Sequence, residues 1–125
     1  MIVRDVEFLR EKEMVVQCPD GGFTSFRYLI EKDNMGFTLT KTVIPVGENQ
    51  FWNYKNHLEA CLCIAGQGVL INSKTGQAFG IVPGTMYALD KNDPHSFRAV
   101  EDTHLVCVFN PPLKGNEIHK KDGSY

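Results

Sequence analysis

The chain has 125 residues, 42% of them hydrophobic and 22% charged, an ordinary globular composition that is long enough to bury a core and too apolar for disorder. Thirteen Lys and Arg against fifteen Asp and Glu leave a formal charge of −2, which excludes a strongly basic nucleic-acid or membrane-surface binder. No apolar run approaches membrane-spanning length, and the start, MIVRDVEFLREKE, lacks the apolar stretch of a signal peptide. One cytoplasmic domain over residues 1–125 is therefore expected, with Cys18, Cys61, Cys63 and Cys107 as reduced thiols.

Residues 1–4 read as an edge strand, followed by a short helical turn with Asp5 as its N-cap. Cys18-Pro-Asp-Gly-Gly is a turn. From Phe23 to Glu31 the side chains alternate, with Phe23, Ser25, Arg27 and Leu29 on one face and Thr24, Phe26, Tyr28 and Ile30 on the other. Phe37 to Pro45 is rich in Thr, Val and Ile and sets Thr38, Thr40 and Thr42 on one face. Between Gly47 and Gly66 lies another strand-like run. There His57, Glu59, Cys61 and Cys63 share one face, and Leu58, Ala60, Leu62 and Ile64 share the other. Both faces are suited to burial or half-burial, and a buried carboxylate at Glu59 must be paired, protonated or bound to a metal. Further strands are expected at 68–72, 78–82, 86–89, 95–100 and 104–109, with a turn-rich polar tail from Asn110. Many short strands and almost no helix predict an all-β sandwich or barrel, and a jelly roll hides its edges.

Spacing narrows this further. The chain runs Gly47, five residues, Asn53-Tyr-Lys, three residues, Glu59, six residues, Gly66. Later it runs Gly84, five residues, Asp90-Lys-Asn, two residues, His95, three residues, Ala99. Both frames resemble the two motifs of cupin barrels, although the paired His of the first motif is absent. Glu59 and His95 remain as metal donors. A catalytic ion usually has three protein ligands, and Tyr87 is a third candidate because the hairpin from 86 to 97 can turn its phenol toward His95. Two oxygens and an imidazole suit iron or manganese, and zinc less clearly.

Longer blocks carry a closer resemblance. Tyr54-Lys-Asn-His-Leu-Glu-Ala, Tyr87-Ala-Leu-Asp-Lys-x-Asp-x-His95 and Cys107-Val-Phe-Asn-Pro-Pro-Leu-x-Gly resemble ectoine synthase. So do Met1-Ile-Val-Arg, Asp33-Asn-Met-Gly-Phe, Glu117-x-His119 and Asp122-Gly-Ser-Tyr. The resemblance spans essentially the whole chain. It implies a cupin-type double-stranded β-helix with a C-terminal lid. It also implies a homodimeric, iron(II)-dependent lyase, with another divalent metal as a substitute, that cyclises N-γ-acetyl-L-2,4-diaminobutyrate with loss of water. By position, it implies that Glu59, Tyr87 and His95 hold the metal. It places Arg27, Thr42, Tyr54, His57, Cys107, Phe109, Glu117 and His119 around the substrate.

The residue types suit that task. Arg27 can clamp a carboxylate in a bidentate fork. Phe23 and Phe109 can wall an apolar slot. Tyr54 and Glu117, with His119 in reserve, can exchange protons during ring closure. Phe23 stands where relatives commonly carry Trp, and Thr40 where they carry Asn, so the pocket keeps its wall but loses donors. The competing readings are a cupin enzyme for a different N-acyl amino acid, an iron dioxygenase, and a non-enzymatic cupin that binds an osmolyte.

Overall fold

The computed structural model describes residues 1–125. Helix α1 is the single turn-and-a-half Val6–Glu11. Asp5 caps it by accepting the Phe8 N–H at 2.9 Å, and its one buried side chain is Leu9. The strands are β1 (Val15–Gln17), β2 (Thr24–Leu29), β3 (Thr38–Ile44), β4 (Gln50–Trp52), β5 (Leu58–Asn72), β6 (Ala78–Ile81), β7 (Met86–Leu89) and β8 (His95–Asn110).

Two long strands organise the rest. β5 and β8 are antiparallel neighbours along nearly their whole length, with register shifts between Cys63 and Gly68. Those irregularities bend the pair, because a bulge adds local twist and turns a strand. Gly66 makes the bend feasible: its φ is +86°, and a Cβ there would collide with the Asp102 carbonyl. On one side of the bend the order is β1-β2-β3-β8-β5, with β7 on the outer edge of β5. On the other side β4 pairs with residues 95–97 of β8, and β6 pairs with residues 68–71 of β5.

The two halves face each other across one core. Phe23 meets Trp52 edge to face at 5.6 Å, and Tyr87 stacks on Phe97 at 6.5 Å. This is the jelly-roll barrel expected from the strand pattern. Inward residues of β5 are Glu59, Cys61 and Cys63, all buried. Its other face is exposed: Leu58, Leu62 and Ile64 are each more than 40% accessible. Burial or half-burial of both faces was the expectation: the inner face is buried, and the outer face is only partly covered, with Ala60 intermediate.

Residues 1–4 form no strand. Arg4 instead spans from the N-terminal segment to the turn after β2, making a two-armed ion pair with Asp33 at 2.6 and 2.7 Å and donating to the Tyr28 carbonyl at 2.6 Å. The sheet edge is taken by β1, whose three residues pair with 24–26 of β2.

The tail packs across the barrel mouth. The Leu113 side chain is fully buried, its N–H donates to Thr38 Oγ1 at 2.7 Å, and its carbonyl accepts from Glu31. Farther on, Asn53 N–H donates to the Gly123 carbonyl at 2.9 Å, and Lys55 pairs with Asp122 at 3.0 Å. Gly123, at φ +80°, lies so near the backbone of Phe51 and Trp52 that a Cβ would reach 2.8 Å from the Phe51 carbonyl.

Candidate active site

The inner faces of β2, β3, β5 and β8 supply one wall. Register places Arg27 across from Thr40, Thr40 across from Cys107, and Glu59 across from Phe109. Cys61 lies between Tyr87 and Cys107 on its two neighbouring strands. The alternation of each strand points these residues inward together. Glu59, Cys61, Tyr87, Cys107, Phe109, Phe23 and Thr42 line one interior slot.

The free space in that slot is only about 20 Å³, because Tyr125 fills it from the tail. Its ring stacks on His119 at 4.6 Å and on Tyr54 at 5.1 Å, and meets Phe109 edge-on at 5.8 Å. Trp52 completes this aromatic cluster, lying 5.9 Å from His119 in a stacked arrangement. Neither Tyr125 nor Trp52 has a role in the sequence reading. Tyr125 lies in a block that carries the resemblance, but only the fold of the tail brings its ring inside.

Arg27 is wholly buried. One guanidinium nitrogen donates to the Glu117 carbonyl at 2.6 Å. Another lies 3.6 Å from the Glu117 carboxylate and has no hydrogen-bond partner. A buried guanidinium with an unused donor is a ready receptor for a small carboxylate. Burial alone would raise the Glu117 carboxyl, but the Lys114 and Gly115 N–H groups and nearby Arg27 hold it below its usual value. Glu117 is thus held as an anion and is not a proton donor.

The Tyr54 hydroxyl lies 2.7 Å from His119 Nε2. Burial, aided by nearby Arg27, pushes the imidazole of His119 down to about 4. Burial pushes the Tyr54 phenol up. Both are neutral near pH 7, so the pair can relay a proton when one enters as another leaves. His57, half-buried against Phe109 and Tyr125, is likewise held low by burial.

Two of the three expected metal donors, His95 and Glu59, are buried. His95 is buried, and its Nδ1 is 2.9 Å from the Asp93 carbonyl. That contact places the proton on Nδ1 and leaves Nε2 as a lone pair, and Nε2 has no partner in the fold. The Tyr87 ring lies 6.4 Å from that imidazole and also lines the slot that holds Glu59. Burial raises the Glu59 carboxyl to about 7, tempered by the Cys61 thiol, which donates to it at 3.2 Å. A buried carboxyl with only a thiol for company and a buried imidazole with an idle lone pair are what a cation would satisfy. A second possible donor set is Glu59, Cys61 and Cys107, whose ligand atoms all lie within 4.8 Å of one another.

A family model described as ectoine synthase matches residues 1–125. The chain belongs to the ectoine synthase family. It is 48% identical over 126 residues to the L-ectoine synthase of Desulfatibacillum aliphaticivorans, covering 100% of this chain and 96% of that one. Its fold superposes on the crystal structure of ectoine synthase from P. lautus with a TM-score of 0.88 at 41% identity, over 98% of this chain and 87% of that one. The cupin domain of an XRE-family transcriptional regulator from Enterobacter cloacae shares the fold alone, with a TM-score of 0.60 at 13% identity over 73% of this chain and 98% of that one.

Within an ectoine synthase frame, most site residues read from the sequence fall into three groups, while His57 packs against Phe109 and Tyr125 and His95 lines a second cavity that it shares with Tyr87. Arg27 and Tyr54 meet Glu117 and His119 of the tail. Phe23, Thr42, Glu59, Tyr87, Cys107 and Phe109 line the slot. Thr40, fully buried with an unpartnered hydroxyl, lies between Arg27 and Cys107 by register. One positioning residue escapes sequence reading. The Asn92 amide donates to the carbonyls of Tyr54 at 2.9 Å and His57 at 3.1 Å, tying the loop before β5 to the turn before His95.

Proposed function

We propose that this chain is an iron-dependent hydro-lyase that closes N-γ-acetyl-L-2,4-diaminobutyrate into ectoine with loss of water. Membership of the family supports the reaction. The observation that carries the catalytic assignment is the neutral Tyr54–His119 pair set beside a buried Arg27 with a free donor.

Arg27 binds the substrate carboxylate and so fixes the α-carbon and its amine. Phe23 and Phe109 wall the apolar side. Tyr125 must give up part of its volume for the substrate to enter. Glu117 or His119 takes the proton of the α-ammonium, and the freed lone pair attacks the acetamide carbon. The new C–N bond closes a six-membered ring, and the carbonyl oxygen becomes a hydroxyl as the attacking nitrogen passes its second proton to it. Tyr54 then gives its proton to that hydroxyl, which leaves as water while the C=N bond forms, and the proton taken from the ammonium returns through His119 to restore the phenol. Glu59, Tyr87 and His95 would hold the ferrous ion, which would supply Lewis-acid polarisation of the amide oxygen. The folded tail excludes bulk water, which favours a dehydration, and orientation of amine against carbonyl supplies much of the rate.

The protein acts as a single cupin domain over residues 1–125, in the cytoplasm, where its four free cysteines stay reduced. No helix is long and apolar enough to cross a membrane. It forms a homodimer. The resemblance is the basis for that reading, and the exposed Leu58, Leu62, Ile64 and Met86 around the outer face of β5 give it a surface. The test is conversion of the acetylated diamine by purified protein with ferrous iron. Glu59→Ala should lose both iron retention and turnover, and full turnover by a metal-free Glu59→Ala chain would refute the scheme.

A further inference from the structure

We propose that Glu59, Cys61 and Cys107 form a sulfur-rich ligand set for a thiophilic divalent cation such as zinc, sharing Glu59 with the iron set so that the two ions exclude each other.

Three observations carry this. Register sets Cys61 directly across from Cys107 on adjoining strands, and Glu59 two residues before Cys61 on the same inward face. All three side chains are buried, and their donor atoms lie within 4.8 Å of one another. A tetrahedral zinc ion with bonds near 2.0–2.3 Å needs donors roughly 3.5 Å apart, so closing the set takes about an ångström of side-chain movement. Lastly, the Glu59 carboxylate has no basic side chain beside it among the ion pairs of the fold, and its one hydrogen bond is to the Cys61 thiol. Both cysteines are free thiols.

Donor chemistry sets the selectivity. Tyr87 and His95 offer a phenol oxygen and an imidazole, which suit iron. Two thiolates with one carboxylate favour zinc or cobalt over harder cations. Binding releases the two thiol protons to solvent, with no change of oxidation state. One carboxylate cannot serve both ions fully, so zinc in the sulfur set withdraws Glu59 from the iron set.

The experiment titrates the reduced, metal-free full chain with cobalt(II) as a spectroscopic probe, then with zinc. The expected result is a near-ultraviolet sulfur-to-cobalt charge-transfer band that saturates at one cobalt per chain and disappears on adding zinc. Cys61→Val should lose the band and weaken zinc binding by more than about tenfold. Cys61→Ser, which keeps a polar group against Glu59, serves the same purpose if the valine variant fails to fold. His95→Gln, which removes the imidazole of the iron set, should leave the band in place. Absence of the band in the folded wild-type chain overturns the proposal. So does its survival in both Cys61 variants, or its loss with Cys18→Ser or Cys63→Ser. The readout needs no turnover, so failure of the conversion assay and failure of this proposal are separately visible.

Discussion

The hydroxyl of Tyr54 and Nε2 of His119 lie 2.7 Å apart although 65 residues separate them in the chain. The pair exists only because the tail crosses the barrel mouth. Tyr54→Phe keeps the stacking on Tyr125 and removes the proton path. Its turnover number should fall by about 10²–10⁴, the usual worth of a positioned acid or base, with KM nearly unchanged. A stopped assay of ectoine formation measures this, and a KM rise with unchanged turnover would move Tyr54 from chemistry to binding.

Arg27 should behave in the opposite way. Arg27→Lys keeps the charge but loses the fork that matches a carboxylate. KM should rise by roughly tenfold or more, in keeping with the strength of charge-assisted hydrogen bonds. A substrate analogue with an amide in place of the carboxylate should bind wild type and variant equally poorly. If the analogue still tells them apart, the guanidinium is holding Glu117 and the tail rather than the substrate.

The tail should loosen in acid, and His119 sets the window. Its imidazole titrates at about 4 in the folded chain against the ordinary 6.5. Between those values the unfolded chain takes up a proton that the folded chain refuses. The stability is thus complete above the ordinary value and is lost as the pH falls toward 4, by at most about 3 kcal/mol. His119 lies in the tail, so the tail should respond first. Hydrogen exchange at residues 117–125 should quicken between about pH 6.5 and 4.5. His119→Gln, which retains a partner for Tyr54 but does not titrate, should flatten that response.

Much of the barrel was legible because its strands alternate. Ser25 and Arg27 point inward while Thr24 and Phe26 do not, as period two requires. Glu59, Cys61 and Cys63 share the inner face as expected, but the outer face of the same strand is exposed, because apolar character alone does not say what covers it. β1 and β4 are three residues each, too short for a periodic signal. The expected strand at 1–4 failed because Arg4 finds Asp33 instead, a pairing 29 residues away that no local pattern records. The candidate ligands Glu59 and His95 were visible through motif spacing. The meeting of Cys61 with Cys107, and of Tyr125 with His119, depends on strand register and on the path of the tail.

Asn92 tests whether the loop before β5 must be held for catalysis. Its φ is +51°, a left-handed conformation that asparagine tolerates and alanine disfavours. Its side-chain amide donates to the Tyr54 and His57 carbonyls, and at 3.4 Å to that of Lys55. Asn92→Ala loses both the conformation and the bonds and should cost about 2–3 kcal/mol. Asn92→Gly keeps the conformation and should cost about 1 kcal/mol less. Urea unfolding separates the two. The variants should nevertheless show the same drop in turnover, because both free the loop that aims Tyr54 at His119. If turnover instead follows stability, with the glycine variant the more active, the bonds serve folding alone and the aim of Tyr54 is set by its stacking on Tyr125.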